Sequence, residues 1–417
     1  MRATQVALAA ALALQACVAP IATTTPSPTA VPATTEPVVS AAPPTPDASP
    51  APTPTPFSPC PSPQKLVGEV SISPLCVPGA NVLVEGAIGL ADLHVLYDQV
   101  TGDLAAVQQE FAWTLRRPPT IEVFATTASY RTGLVIEFGY SGATAAFVAD
   151  NSVAFFEPDV RMILVNWEAV RERRPIAAIR HELTHFVTLE ACEPRCDLVP
   201  AWLNEGQAHL AEATIPGGEW RLVRVRYEAA SMVATQTLMP LSTLVSQSQW
   251  NNITSWAGYY KYQEAARATE LLREDIGGTE PIARLYDRLR RGEDVARAYA
   301  SLTGRSFDSF IAALDARFTA GIPAGPAVVM TAGPQAGNGV GYLLYGFGSE
   351  ENVTIHIVGR RTEETEEIAV SPQGAHFSEI VDRYPPGTYV IAVTRGDAVI
   401  ASTRFEKRGG RPPNRFD

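Results

Sequence analysis

Two histidines four residues apart, with a glutamate between them, are the residues of this chain best suited to chemistry. His181 and His185 lie in the segment AAIRHELTHFVTLEAC, whose apolar residues recur at helical spacing. On a helix, side chains at positions i and i+4 share one face, so both imidazoles can bind one metal ion. Glu182 lies one step round the helix, beside the open side of such a metal. There its carboxylate can accept a proton from water.

The third protein ligand of such a metal must come from a second helix. The segment PAWLNEGQA, which begins shortly after His185, supplies Glu205 for this position. Two histidines and one carboxylate leave a coordination position open for water, whose pKa zinc lowers to about 7. Given six histidines and 44 acidic residues, only ~0.01 chance matches to the His-acid-x-x-His pattern are expected. A helix that merely carries two satisfied histidines is the weaker interpretation.

The segments HELTH and PAWLNEGQA together resemble the gluzincin metallopeptidases, the thermolysin-like part of the peptidase MA clan. The resemblance is closest to peptidase-MA-like domains of exported bacterial proteins, and it covers roughly residues 90 to 318. It implies a zincin-like α+β domain that hydrolyses peptide bonds in peptides or proteins. It also implies one Zn²⁺ per chain on His181, His185 and Glu205, with Glu182 as the general base that activates the zinc-bound water.

Two features depart from the gluzincin pattern. Family members usually carry an acidic residue one turn past the glutamate ligand, where it orients a ligand histidine, but this chain has His209 there. Another residue must then orient the zinc histidines through their second ring nitrogens, or His209 has a different role. The GxMxN motif of aminopeptidases is not found, and the nearest segment, GATAAFVADN, does not match it. We therefore expect endopeptidase rather than aminopeptidase activity.

A hydrogen-bond donor for the transition state, usually a tyrosine or a histidine in the resembling families, is not assigned by any motif. Tyr259, Tyr260 and Tyr262 all follow the ligand helix and compete for this role. Counting back from Gly277 favours Tyr262. For each of these tyrosines, packing in the core is the alternative.

The body of the chain, residues 65–322, reads as one mixed α and β peptidase domain. Apolar residues at helical spacing predict a helix from about Leu93 to Phe111, ended by two prolines. Further helices are predicted from about Arg174 to Leu189 and from about Pro200 to Ala213, and helices dominate from 258 to 320. The β-branched segments TIEVFATT, SVAFFE and VRMILVN predict strands.

After Pro323 the sequence changes to short alternating runs separated by turn residues, which predicts an all-β sandwich over residues 323–417. Gly396 and Asp397 are expected to form a hairpin turn. These runs resemble the immunoglobulin-like modules of secreted bacterial proteins. Such a module acts either as a spacer that shields the enzyme or as a wall- or substrate-binding unit.

The first 16 residues have the features of an export signal. Arg2 precedes an apolar run from Ala3 to Leu14, which is too short to span a bilayer at about 20 residues. The run ends in Leu-Gln-Ala-Cys, which resembles the lipobox of bacterial lipoproteins and makes Cys17 the expected lipidation site. Ordinary secretion with cleavage near Ala19 is the alternative. We expect an extracytoplasmic protein held on the membrane by a lipid anchor.

Residues 17–64 are rich in proline, threonine, serine and alanine and carry almost no large apolar side chains. Such a segment cannot bury enough surface to fold. At roughly 3.1 Å per residue, an extended tether of this length reaches on the order of 100 Å. We expect it to separate the membrane anchor from the folded body.

The four remaining cysteines predict two local disulfides in an exported chain, Cys60–Cys76 and Cys192–Cys196. Half of a second zinc site is the weaker interpretation of Cys192 and Cys196, because no matching pair lies nearby. The net charge of −11 argues against nucleic acid as a partner. A catalytically inactive zincin-like lipoprotein that serves in binding or adhesion is the rival function, although such a protein would not need to retain Glu182.

Overall fold

The structure is a computed structural model. It describes residues 64–171, 176–216, 218–253, 255–278, 280–332, 340–360, 362–380 and 384–407. The predicted signal segment, Cys17, Cys60 and nearly all of the tether lie outside the described residues. Within the described part of the chain, no helix combines the length and apolar character needed to cross a membrane.

A six-stranded mixed sheet forms the first layer of the fold. Its strands are β1 (Lys65–Val67), β2 (Val70–Val77), β3 (Ala80–Glu85), β4 (Thr120–Phe124), β5 (Ala154–Glu157) and β6 (Met162–Asn166). Their order across the sheet is β1-β2-β3-β4-β6-β5. The β3–β4 and β4–β6 pairs are parallel, whereas β5 runs antiparallel to β6 and lies at the edge of the sheet. The three strands predicted from β-branched segments are β4, β5 and β6, and each is confirmed.

Helices make up most of the remaining body, together with short 3-10 turns at Cys196–Leu198 and Leu241–Thr243. The helices are α1 (Leu90–Glu110), α2 (Thr127–Phe138), α3 (Gly142–Asn151), α4 (Trp167–Val170), α5 (Ala177–Cys192), α6 (Ala201–Ala213), α7 (Trp220–Ala234), α8 (Gln247–Asn252), α9 (Ser255–Ile276), α10 (Pro281–Arg290), α11 (Val295–Thr303), α12 (Phe307–Ala312) and α13 (Leu314–Thr319).

Two predicted helix boundaries were wrong. Helix α5 begins at Ala177 rather than Arg174, and it continues past Leu189 to Cys192 because its last residues are buried. Helix α1 ends at Glu110, before the prolines that were expected to end it. The helix that begins after Pro200 and ends at Ala213 is confirmed.

Two separate antiparallel sheets form the C-terminal part of the described chain. Their strands are β7 (Ala327–Ala332), β8 (Val340–Tyr345), β9 (Asn352–Gly359), β10 (Thr362–Ala369), β11 (His376–Ile380), β12 (Gly387–Arg395) and β13 (Ala398–Lys407), in the orders β10-β9-β12-β13 and β11-β8-β7. Arg395 pairs with Ala398, so the predicted Gly396–Asp397 hairpin turn is confirmed. The predicted domain boundary at 322/323 lies in the connection between α13 and β7.

The C-terminal sheets pack directly on helices α7 and α9. Trp220 of α7 stacks on Phe377, with ring centroids 5.4 Å apart, and is 7% exposed. The Tyr260 hydroxyl of α9 donates to Ser371 Oγ at 2.9 Å, and Ser231 Oγ donates to a backbone carbonyl of the same loop at 2.8 Å. Buried polar contacts of this kind join the C-terminal sheets to the helical body.

Candidate metal and catalytic site

Helix α5 presents the two motif histidines on one face because its opposite face is buried. Ile179, Leu183 and Phe186, expected as its apolar face, are at most 1% exposed. His181 and His185 therefore lie on the other face, where their ring centroids are 4.7 Å apart. Both side chains line the same cavity.

Helix α6 brings Glu205 opposite these histidines. The neighbouring Gly206 permits a close approach between α6 and α9, since a Cβ atom at this position would lie 2.4 Å from the carbonyl oxygen of Ala265. Any larger residue would push the two helices apart and displace Glu205 from the histidines. Sequence reasoning found Glu205 but not Gly206, which lets helix α6 pack closely against α9.

The ligand atoms of the three predicted metal residues converge. Glu205 Oε2 lies 3.7 Å from His181 Nε2 and 3.6 Å from His185 Nε2. These separations are too long for good hydrogen bonds. They are close to the ~3.3–3.5 Å that separates two ligands of a tetrahedral zinc with bonds of about 2.0–2.1 Å. The residues present therefore fit a zinc ion.

Hydrogen bonds to the other ring nitrogens orient both histidines toward this point. His181 Nδ1 lies 2.8 Å from Glu212 Oε1, and His185 Nδ1 lies 3.0 Å from Asn204 Oδ1. Because a carboxylate and an amide oxygen can only accept, each Nδ1 must carry the proton. Each Nε2 then keeps its lone pair for a metal.

Sequence reasoning missed Glu212, whose carboxylate accepts the hydrogen bond from His181 Nδ1. Glu212 lies two turns past Glu205, at i+7, and so on the same helical face. His209, one turn past Glu205, contacts the same Glu212 oxygen at 3.3 Å. The i+7 spacing was the signal that could have identified Glu212.

His181, His209 and Glu212 form a second group of possible ligands among the described residues. The His181–Glu212 separation of 2.8 Å is a hydrogen-bond distance rather than the edge of a coordination tetrahedron. Arg221 also donates to Glu212, at 3.1 Å. We therefore interpret this second group as support for His181.

Glu182 lies beside the ligand set and lines the same cavity. Its Oε2 accepts a hydrogen bond of 2.9 Å from the backbone N–H of Phe156, on the edge strand β5. Burial raises the pKa of Glu182 above its ordinary value, although His181 and His185 partly oppose the shift. A carboxylate with a raised pKa is a stronger base, as proton abstraction from water requires.

The pKa of Glu205 is shifted in the opposite direction, below its ordinary value. Burial would raise the pKa of Glu205, but the charges of His185 and His181 outweigh it and lower the pKa to about 2. Burial likewise disfavours a charged His181, yet the nearby Glu205 carboxylate and the hydrogen bond to Glu212 raise its pKa well above the ordinary value. The site thus strongly favours positive charge at the point where the three ligands meet. Two carboxylates whose pKa values are shifted in opposite directions, here Glu182 and Glu205, also suit separate roles as an acid–base group and as a metal ligand.

The three competing tyrosines point in different directions. Tyr260 faces the C-terminal sheets, and the Tyr259 hydroxyl donates to Glu228 at 3.3 Å. Tyr262 lines the cavity that holds the metal residues. Two residues correspond to about 200° around a helix, which is why Tyr260 and Tyr262 face opposite ways. Burial, with the charge of Glu205, raises the pKa of Tyr262, so its hydroxyl keeps its proton.

A cavity of about 610 Å³ adjoins the ligand set. All four residues of the edge strand β5 line it. Cys192 and Cys196 also line it and are bonded to each other, bracing the connection between α5 and α6. Cys76 is also disulfide-bonded, and Cys60, its predicted partner, lies outside the described residues.

Two further polar residues of the site were not found from the sequence. Gln247 of α8 donates to Glu205 Oε1 at 3.2 Å. Lys261 donates to the carbonyl oxygen of Trp250 at 2.5 Å and so holds the end of α8. Burial lowers the pKa of Lys261 to about 8. No spacing rule links α8 to the HELTH motif, so only the packed structure reveals these contacts.

The Glu212→Gln variant should bind zinc 10- to 100-fold more weakly, the usual effect of changing a partner of a ligand histidine. The amide oxygen can still accept from His181 Nδ1, but the negative charge that makes this histidine a better ligand is lost. Chelator competition measures the zinc Kd. The exposed Glu69→Gln provides a matched control that should bind as wild type. An unchanged Kd in Glu212→Gln would remove Glu212 from the site.

No protein-family model matches the sequence, and no curated protein is significantly similar to it.

Proposed function

We propose that this protein is a zinc-dependent metallopeptidase of the gluzincin type that cleaves peptide bonds within a chain, in a zincin-like domain. One observation carries the proposal. The Nε2 atoms of His181 and His185 meet a carboxylate oxygen of Glu205 at metal-ligand separations, with the carboxylate of Glu182 beside them in the wall of one cavity.

His181, His185 and Glu205 would hold the metal. When bound, Zn²⁺ supplies a Lewis acid that polarises a carbonyl group and makes water more acidic. His181 and His185 donate through Nδ1 to Glu212 and Asn204, and these hydrogen bonds turn each ring so that its Nε2 lone pair would face the metal.

Glu182 moves the proton in the proposed reaction. Its raised pKa suits a carboxylate that takes a proton from the attacking water and later delivers it to the leaving amine. Its hydrogen bond to Phe156 holds the carboxylate beside the edge strand, next to the expected path of the substrate. The hydroxyl of Tyr262, which stays protonated, is suited to donate to the oxyanion that develops on the substrate carbonyl.

The edge of strand β5 that faces away from β6 supports a peptide as the substrate. Within the described residues, strand β5 pairs only with β6, so its other edge can pair with an extended peptide. Main-chain hydrogen bonds of this kind are independent of side-chain type. They would lay the substrate past Glu182, which already binds this edge through Phe156.

We further propose that the protein works outside the cytoplasm, tethered through a lipid on Cys17, with an immunoglobulin-like module at its C-terminal end. The bonded Cys192 and Cys196 support an oxidising compartment. The two facing antiparallel sheets are compatible with a sandwich of the immunoglobulin type.

Metal analysis tests the proposal directly. Purified protein should contain one Zn²⁺ per chain, and His181→Ala should lose it. Because the imidazoles must be neutral to bind metal, zinc should also be released as the pH falls below about 6. Wild-type protein should cleave a denatured protein substrate, lose that activity to a chelator and recover it with added zinc. Zinc-free wild-type protein, or full zinc retention in His181→Ala, would contradict the proposal.

A further inference from the structure

Three aromatic rings form a cluster at one end of the cavity. The Phe138 and Tyr140 centroids lie 5.7 Å apart, and Phe155 lies 6.1 Å from Phe138 and 6.3 Å from Tyr140. All three side chains are only partly buried, and Tyr140 and Phe155 line the cavity. Ring faces left partly open to a cavity can bind a cation through their quadrupoles.

A carboxylate without a cationic partner adjoins this cluster. Glu157 also lines the cavity, and its Oε2 accepts from the Tyr140 hydroxyl at 2.9 Å. Its Oε1 receives only a long contact of 3.4 Å from the backbone N–H of Asp159. Among the described residues, no lysine, arginine or histidine forms an ion pair with Glu157.

The other acidic residues that line this cavity differ from Glu157. Asp197 is paired with Arg195 at 2.9 Å, and Glu205 faces two histidines. Glu182 lies against the same histidines and the Phe156 N–H. Glu157 thus contributes negative charge that the described protein does not neutralise. Burial and the charge of Glu157 together raise the pKa of Tyr140, as expected for a phenol beside an ionised carboxylate.

The position of Glu157 relates this cluster to the proposed chemistry. Glu157 follows Phe156 directly on the edge strand, and Phe156 holds the carboxylate of Glu182. One residue of extended chain spans about 3.3 Å. A substrate paired with β5 would therefore place a side chain one or two residues from the cleaved bond beside Glu157.

We propose that Glu157, Tyr140 and Phe155 form a subsite that binds a cationic group of the substrate. The carboxylate supplies the charge, and the two rings supply faces that accept an ammonium or guanidinium group. The inference rests on the proposed peptidase function and adds the substrate class. The cation has two possible sources with the same chemistry: a lysine or arginine side chain within the peptide, or the free α-ammonium group at its end.

Matched peptides test the subsite. Four peptides are compared. They carry either lysine or glutamine at one position before the cleaved bond, and each is made with a free and with an acetylated amino terminus. Wild type should favour the cationic peptide by about 10-fold or more in kcat/KM. A preference that survives acetylation and follows lysine assigns the side chain. One that disappears on acetylation assigns the α-ammonium group.

Three variants assign the preference to Glu157. Glu157→Gln keeps the shape of the side chain and should abolish the preference for the cationic peptide. Glu157→Lys should reverse the preference toward an acidic peptide. Asp159→Asn, an exposed carboxylate two residues away that does not line the cavity, should keep the wild-type ratio. Equal cleavage of all four peptides by wild type, or an unchanged preference in Glu157→Gln, overturns the subsite.

Binding measurements separate this inference from the proposed function. In the zinc-loaded Glu182→Gln variant, calorimetry should show tighter binding of the lysine peptide, or of the peptide with a free amino terminus, than of the acetylated glutamine peptide. That difference should vanish when Glu157→Gln is added. If wild type cleaves no peptide but this difference is present, the peptidase proposal fails and the cationic subsite stands. Equal binding of all four peptides in Glu182→Gln overturns the subsite even if wild type is an active peptidase.

Discussion

Glu182→Gln should lower peptide cleavage by a factor of about 100 or more while leaving zinc binding intact. The substitution keeps the length and shape of the side chain, and its amide oxygen can still accept from the Phe156 N–H, so strand β5 should stay in place. What is lost is the basic carboxylate whose pKa burial raises. An amide cannot take a proton from water at neutral pH. The effect should therefore appear in kcat with KM little changed.

Three measurements on the same preparations check this expectation: zinc content, melting temperature and steady-state cleavage of a peptide substrate. Zinc should remain at one ion per chain, since the ligand atoms of His181, His185 and Glu205 are untouched. The exposed Glu69→Gln is the matched control and should cleave as wild type. Cleavage by Glu182→Gln at the wild-type rate would refute the assigned role of Glu182 as the base.

Tyr262→Phe should reduce kcat by about 10²–10³-fold with KM little changed, a loss near 3–4 kcal/mol of transition-state stabilisation. The substitution deletes only a hydroxyl in the wall of the cavity. If this hydroxyl donates to the developing oxyanion, its contribution exists only in the transition state. Zinc content and melting temperature should hardly change, because no core volume is removed.

Tyr260→Phe is the control that the structure provides for this prediction. The Tyr260 hydroxyl lies on the face of α9 opposite Tyr262 and donates to Ser371 Oγ, so turnover should stay nearly constant without it. Loss of that buried hydrogen bond should instead cost about 1 kcal/mol of stability. The reverse pattern, with Tyr260 essential and Tyr262 silent, would show that the assignment is wrong. If both are silent, His209, which lines a smaller neighbouring cavity with Tyr262, is the next residue to test.

Local spacing was enough to identify the residues that converge on the candidate metal site. His181 and His185 lie four residues apart on one helix, and a regular helix places such residues on one face whatever surrounds it. The apolar face of α5 followed from the same periodicity, and its predicted residues are buried. Strands β4 to β6 were likewise recognisable from short β-branched segments. Zinc and peptide cleavage remain predictions.

Packing between elements determined the contacts of the site that local spacing does not predict. The choice of Tyr262 over Tyr260 depends on which face of α9 meets α6, and the close contact at Gly206 sets that face. The i+7 spacing places Glu212 on the same helical face as Glu205, but its contact with His181, like that of Asn204 with His185, depends on how α6 lies across α5, because a hydrogen bond between helices has no fixed sequence separation. The fold likewise revealed that no described lysine, arginine or histidine pairs with Glu157, because the ion pairs of a carboxylate depend on what packs around it. Sequence periodicity records which face of an element is buried, whereas the partner across that face depends on the tertiary fold.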